Sequence, residues 1–264
     1  MTRLRQCLTA IALVALTGPT FPAAAADMAA HRALYALSLS TARSTEVVAV
    51  TGSMAYEVID ACDGWASRQR LQLTISNRDG QDIEMVSDYV TWEAKDGLSF
   101  RFRMRQTTDT AVTSETEGDA TLTKPGGPGT AHFKLPEETT KDLPAGTLFP
   151  MKHTETIIAS ARDGKKFLSL PLLDGTVPSG AQDTSVAITA WLQPEKISFP
   201  SLSELASNRV HIAFFDRDSQ TQQPDYEVSM RYWENGVADA LLMDFSDFVM
   251  AGKLTELTLL PPHC

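Results

Sequence analysis

Cysteine is nearly absent: three in 264 residues, at Cys7, Cys62 and Cys264. So few thiols exclude a disulfide-dense small scaffold and a four-cysteine zinc site. Membrane-length apolar runs are missing too. The run at residues 7–16 falls short of the roughly 20 residues a spanning helix needs, and no later stretch reaches it. Positive charge is in deficit, 23 Lys and Arg against 33 Asp and Glu, for a net charge of −10. That balance argues against a broad basic surface for nucleic acid or anionic headgroups. Catalytic signatures are missing as well: no G-x-S-x-G elbow, S-x-x-K, P-loop, glycine-rich dinucleotide turn or HExxH. The acidic clusters Glu115-Glu117-Asp119, Glu137-Glu138 and Asp216-Asp218 lack the loop spacing of a calcium hand and read as solvated faces. No metal site or cofactor is expected.

What is present begins with an export signal. Arg3 and Arg5 precede the short apolar run, Gly18, Pro19 and Pro22 break it, and Ala24-Ala25-Ala26 offers a small-residue cleavage site before Asp27. Residues 1–26 therefore read as a cleaved signal peptide and residues 27–264 as the mature, soluble, periplasmic chain. Cys7 opens the apolar run, where a lipidated cysteine would close it, so no lipid anchor is expected. Export leaves Cys62 and Cys264 in an oxidising compartment, where an even count points to a disulfide. Two free buried thiols are the alternative.

Along the mature chain, alternation dominates. Large apolar residues fall at every second position in Tyr35-Ala36-Leu37-Ser38-Leu39, and Leu71, Leu73 and Ile75 alternate with Gln72, Thr74 and Ser76. Phe100, Phe102 and Met104 interleave with Arg101, Arg103 and Arg105, so one face is core and the other a row of guanidinium groups. Turn signals at Asp79-Gly80, Asp96-Gly97, Asp174-Gly175 and Asn235-Gly236 separate such runs, the last reading as a tight hairpin. One segment breaks the pattern. Thr154, Ile157, Ile158 and Ala161 follow helical spacing, with Pro150 placed for a first turn and Gly164 for a stop, which predicts one helix over residues 151–162. The expected fold is mainly β: a long antiparallel sheet curled into a spiral or open barrel, with one or two short helices.

Few residues carry chemistry. None of the five histidines pairs with another at helical ligand spacing. His153 falls in the first turn of the predicted helix, where the helix dipole disfavours a cation, so a neutral ring is expected there. It is a candidate ligand or partner contact, with packing as the plain alternative. Arg101, Arg103 and Arg105 are candidates for holding an anionic ligand or partner, although the polar face of an amphipathic strand explains them too.

The chain resembles the EipB family of periplasmic cell-envelope integrity proteins of Gram-negative bacteria. The resemblance rests on His31-Arg32-Ala33-Leu34-Tyr35, Gly52-Ser53-Met54-Ala55-Tyr56-Glu57, Cys62-Asp63-Gly64-Trp65 and Trp92-Glu93. It continues through Leu143-Pro144-Ala145-Gly146-Thr147-Leu148-Phe149-Pro150-Met151-Lys152-His153, Tyr232-Trp233-Glu234-Asn235-Gly236-Val237 and Cys264. The sequence departs where Phe214-Phe215-Asp216 and Asp244-Phe245 carry Phe in place of an expected Tyr, removing hydroxyls. The resemblance implies a single β-spiral domain over residues 27–264 and a disulfide between Cys62 and Cys264. It also implies envelope support under stress without established enzymatic activity, and a functional link to a periplasmic TPR-repeat protein. A non-catalytic protein that binds a protein or envelope component is the leading expectation. A lipid or lipoprotein carrier is the second. A hydrolase of envelope polymer, with His153 and a nearby carboxylate as acid and base, is the third.

Overall fold

The structure, a computed structural model, describes residues 28–219 and 223–261. The expected signal peptide, Cys7, His263 and Cys264 lie outside the described residues. Fourteen strands form one sheet. The first eight are β1 (His31–Ala42), β2 (Val47–Asp60), β3 (Gly64–Asn77), β4 (Asp82–Ala94), β5 (Ser99–Thr108), β6 (Ala111–Leu122), β7 (Gly129–Leu135) and β8 (Thr139–Leu143). One helix, α1 (Pro150–Arg162), separates them from β9 (Phe167–Leu172), β10 (Gln182–Leu192), β11 (Ser207–Asp216), β12 (Tyr226–Trp233), β13 (Ala238–Asp244) and β14 (Phe248–Leu259). A 3-10 turn at Pro200–Leu202 is the second short helix.

Strand order is β8-β7-β6-β5-β4-β3-β2-β1-β14-β13-β12-β11-β10-β9, and the neighbours pair antiparallel. Two meanders are thus joined at the centre by β1 and β14, the first and last strands in sequence. The short edge strand β8 and the edge strand β9 do not pair with each other. Leu148, in the segment that follows β8, meets β9 instead: its N–H donates to the Pro171 carbonyl at 2.9 Å, and its carbonyl accepts from Leu173 at 3.0 Å. The sheet is curled and not closed, as the alternation predicts.

The inner face carries the core. On β5, Phe100, Phe102 and Met104 are buried and Arg101, Arg103 and Arg105 exposed, so the period-two reading places this strand correctly. Phe100 stacks on Phe149 with ring centroids 5.0 Å apart, and Phe102 meets Phe133 edge-on at 5.2 Å. A larger cluster around Leu37, Val186, Ile212, Trp233 and Met250 spans β1 to β3 and the other meander. The segment at α1 joins them: Phe149 belongs to the first cluster, Ile157 and Ala161 to the second, and Met151 to a third with Val58 and Trp65.

Helix α1 matches the expected span. It ends as a Schellman motif, with Gly164 at φ 78°, its N–H on Ala161, and the Lys165 N–H on Ser160. Its start departs from the local rules. Phe149 occupies the N-cap and supplies no side-chain cap. The missing acceptor comes from β4, as described below.

Two turns differ from expectation. Between β12 and β13 only Gly236 takes positive φ, at 83°. Trp233 accepts from the Gly236 N–H and donates to the Val237 carbonyl, so the loop has three residues, a type I turn closed by a left-handed glycine. Asp174-Gly175 is not a tight turn between adjacent strands. It lies in the connection at residues 173–181, which runs against the inner face of the first meander. Thr116 Oγ1 donates to the Gly175 carbonyl at 2.5 Å and the Tyr89 hydroxyl donates to the Asp174 carbonyl. A Cβ on Gly175 would sit 2.2 Å from the Phe102 ring, and its φ of 75° is left-handed. Gly175→Ala is therefore expected to cost about 2–4 kcal/mol through backbone strain and overpacking. Urea unfolding checks this, and hydrogen exchange should rise first in residues 173–181.

Candidate functional site

The inner face is not uniformly apolar. Register places Gln69 opposite Tyr56 and Tyr89, Ser67 opposite Thr91, and Trp65 opposite Glu93. Ser67 and Thr91 hydroxyls lie 2.6 Å apart. Buried polar groups are costly unless paired, so each partner matters.

Glu93 is 2% exposed. Its carboxylate accepts from the backbone N–H of Met151 at 2.7 Å and of Lys152 at 2.9 Å. These are the N-terminal donors of α1 that a local cap would otherwise satisfy. Burial pushes the Glu93 carboxyl up to about 7, against the opposing pull of the two N–H groups.

One turn on, His153 is 4% exposed. Its Nε2 lies 3.0 Å from Thr184 Oγ1 on β10, and that hydroxyl donates to the Leu170 carbonyl on β9 at 2.7 Å. The hydroxyl proton is committed to Leu170, so Nε2 carries a hydrogen and donates. Burial lowers the ring to about 4, which keeps it neutral. Asp174 is likewise raised by burial, and its carboxylate accepts from the Thr176 N–H and hydroxyl.

Beside the helix start is a cavity of about 190 Å³, lined in part by His31, Tyr56, Tyr232, Met54, Met151 and Met230. Burial raises both tyrosine hydroxyls and lowers the His31 ring, whose Nδ1 lies 2.7 Å from the Ala29 carbonyl.

The arginine row stands on the opposite, outer face. Arg101, Arg103 and Arg105 face Asp119, Glu117 and Glu115 on β6 and Trp92, Val90 and Asp88 on β4. Arg103 lies 3.1 Å from Glu115 and 3.6 Å from Glu117. Arg101 stacks over Trp92 at 4.3 Å. The row and His153 therefore lie on opposite sides of the sheet and form no common site.

Cys62 sits in the turn between β2 and β3 with φ 68°, its N–H donating to Asp60 Oδ1 at 2.9 Å. The register sets His31 opposite both Val58 and Leu259. The end of β14 thus leaves the sheet at the same end as the Cys62 turn, two strands away. Among the described residues, no three His, Cys, Asp or Glu side chains are grouped to hold a metal ion, and no helix is long and apolar enough to cross a membrane.

Known proteins share this architecture. The EipB-like family matches residues 22–261. The chain belongs to the EipB-like family. It is 31% identical to the cell envelope integrity protein EipB of Brucella abortus (strain 2308) over 253 residues, covering 92% of this chain and 88% of that protein. A crystal structure of a beta-barrel-like protein of domain of unknown function DUF1849 from Brucella abortus superposes with a TM-score of 0.80 at 28% identity. That match covers 89% of this chain and 99% of the other. As an EipB-like protein, this chain has the curled, unclosed sheet that its alternation predicts. Sequence reasoning set His153 in the first turn of the helix but missed Glu93, which reaches that turn from β4. The only local signal was the lack of a capping side chain at Phe149.

The two shifts make opposing pH predictions. Glu93 ionises near 7 folded and near 4.5 unfolded, so its protonated form favours folding. That contribution is full below about 4.5 and is lost as pH rises through 7. His153 ionises near 4 folded and near 6.5 unfolded, so its contribution holds above 6.5 and is lost as pH falls through 4. Glu93→Gln mimics the protonated acid. Its thermal midpoint relative to the parent should rise between pH 5 and pH 8, whatever its absolute offset. A difference independent of pH would contradict the Glu93 assignment.

Proposed function

We propose that this protein is exported to the periplasm and supports cell-envelope integrity by binding a protein or envelope component, without a chemical step. The role follows from its kinship with a cell envelope integrity protein. The absence of a chemical step is supported by one observation above all: Glu93 and His153, the buried acid and base at the helix start, and the Asp174 carboxylate are each held in structural hydrogen bonds. Catalysis needs such groups presented to a substrate. Here the Glu93 carboxylate holds a helix end and His153 donates to Thr184.

The carrier reading fares less well in this arrangement. The interior cavity of about 190 Å³ is below the roughly 300–1,000 Å³ typical of ligand pockets, and the larger hollows, of about 460, 500 and 560 Å³, are open grooves flanked by charged side chains. A periplasmic TPR-repeat protein suits the binding reading as a partner, since such repeats present concave surfaces to other proteins.

A Cys62–Cys264 disulfide is part of the proposal. The bonded state of Cys62 supports it. So does the reach of the chain: two strand spacings are about 10 Å, which three residues beyond Pro261 span. Closing a loop of about two hundred residues stabilises by at most about 5 kcal/mol in the loop-entropy account. Cys62→Ser with Cys264→Ser should lower the thermal midpoint, fray the segment after Leu254 first, and reduce protein level in the periplasm. Alkylation of both thiols in native periplasmic material would contradict the bond.

A deletion strain complemented with variants tests the function. His153→Gln, which keeps a donor for Thr184, should restore tolerance to detergent and cell-wall antibiotics about as well as the parent. Loss of tolerance at unchanged abundance and thermal midpoint would replace the binding reading with a His-dependent one.

A further inference from the structure

The outer face of β3, β4 and β5 concentrates positive charge in a chain whose net charge is −10. Directly opposed residues share a face, so the registers define the surface. One row runs Arg68, Val90, Arg103; the next runs Arg70, Asp88, Arg105; a third runs Ala66, Trp92, Arg101. Five guanidinium groups and one carboxylate occupy these three rows. Asp88 is taken by Arg70 at 2.7 Å, and Arg103 by Glu115 and Glu117. Among the described residues, Arg68, Arg101 and Arg105 have no carboxylate within ion-pairing distance.

These three differ from a solvated charge row in what lies between them. Val90, at their centre, is 37% exposed, and the Trp92 ring is half-buried beneath Arg101. A groove lined by Val90, Trp92, Arg101 and Arg103 opens there, bounded by Glu117 and Asp119 on β6. β3 and β5 are about 10 Å apart, and Arg101 and Arg105, four residues apart on one strand, are separated by about 13 Å.

We propose that this face is the partner surface of the binding function above, and that its occupant is an acidic protein segment in extended conformation. Carboxylates spaced four residues apart along that segment match Arg101 and Arg105, with Arg68 taking a third. An apolar side chain between them covers Val90. The inference rests on the binding reading. Guanidinium groups suit it because their fork pairs carboxylates bidentately. Glu115, Glu117 and Asp119 form an acidic column along one side, which repels a shifted segment and fixes its register. Charge of this sign on a soluble acidic protein also steers encounter with acidic partners to one face.

A fluorescein-labelled ten-residue peptide of alternating Glu and Thr with one central Leu is the probe, and the same peptide with Gln for Glu is its control. The full mature protein should raise the anisotropy of the Glu peptide at low salt, lose the effect as salt rises, and leave the Gln peptide unchanged. Arg68→Gln with Arg101→Gln and Arg105→Gln should weaken binding about tenfold at an unchanged thermal midpoint, since each exposed pair contributes modestly. Lys165→Gln with Lys166→Gln and Lys253→Gln should leave binding intact. Equal binding by parent and triple arginine variant, no binding by the parent, or equal binding of both peptides would overturn the inference. So would arginine-dependent co-sedimentation with phosphatidylglycerol vesicles without peptide binding, which would make the surface a lipid one. If the triple variant folds and fully restores envelope tolerance in the deletion strain, the surface assignment fails while the binding function stands.

Discussion

The contact on which the architecture depends is the Glu93 carboxylate at the start of α1. A sheet of fourteen strands that does not close leaves two edges, and open edges invite pairing with other chains. What lies between the edges is α1 and the segments flanking it. The helix needs an acceptor at its N-terminus, and its own N-cap residue, Phe149, is a buried core side chain stacked on Phe100. Packing and capping compete for that position, and packing wins there. The cap is then supplied from β4, in the middle of the first meander. One carboxylate thereby joins the helix, which packs against β9 and β10, to the interior of the first meander. The cost is a buried carboxyl whose ionisation is pushed up to about 7.

The same logic runs through the other interior polar groups. Thr184 accepts from His153 on α1 and donates to Leu170 on β9, so the helix is tied to the second edge strand. Tyr89 and Thr116 bind the backbone of Asp174 and Gly175, so the connection leaving β9 is tied to the first meander. Each is a buried polar group with a long-range partner, expensive to leave unpaired and directional once paired. Apolar burial drives the sheet to curl. The hydrogen bonds choose where the two meanders meet.

This division explains what the sequence discloses. Alternation is local, and Phe100, Phe102 and Met104 against three arginines predict a strand and both its faces. The stop of α1 is local too, because Gly164 adopts the conformation that a helix end favours. The pairing of β1 with β14 is not local. Nothing within residues 31–42 names a partner more than two hundred residues away. Glu93 lies 58 residues before Met151, and within its strand it is only one more polar residue among alternating ones. Asp174-Gly175 has the composition of a tight turn and does make a left-handed glycine. The Phe102 ring against that glycine, which no window of sequence contains, decides that the segment docks inward.

Placing β1 and β14 at the centre of the sheet also separates stability from the proposed binding surface. The central strands pair on both sides, and the register brings the end of β14 to the same end of the sheet as the Cys62 turn. The proposed Cys62–Cys264 bond would act on the middle of the sheet, the part whose loss would release both meanders at once. The arginine surface lies two strands away, on β3 to β5, outside the interior contacts of α1. Substitutions on that outer face remove charge without uncapping the helix, whereas Glu93 and His153 are bonded into the helix start and its neighbours. In this architecture, variation of partner preference is least costly on the outer face, where the sheet supplies spacing and the side chains supply charge.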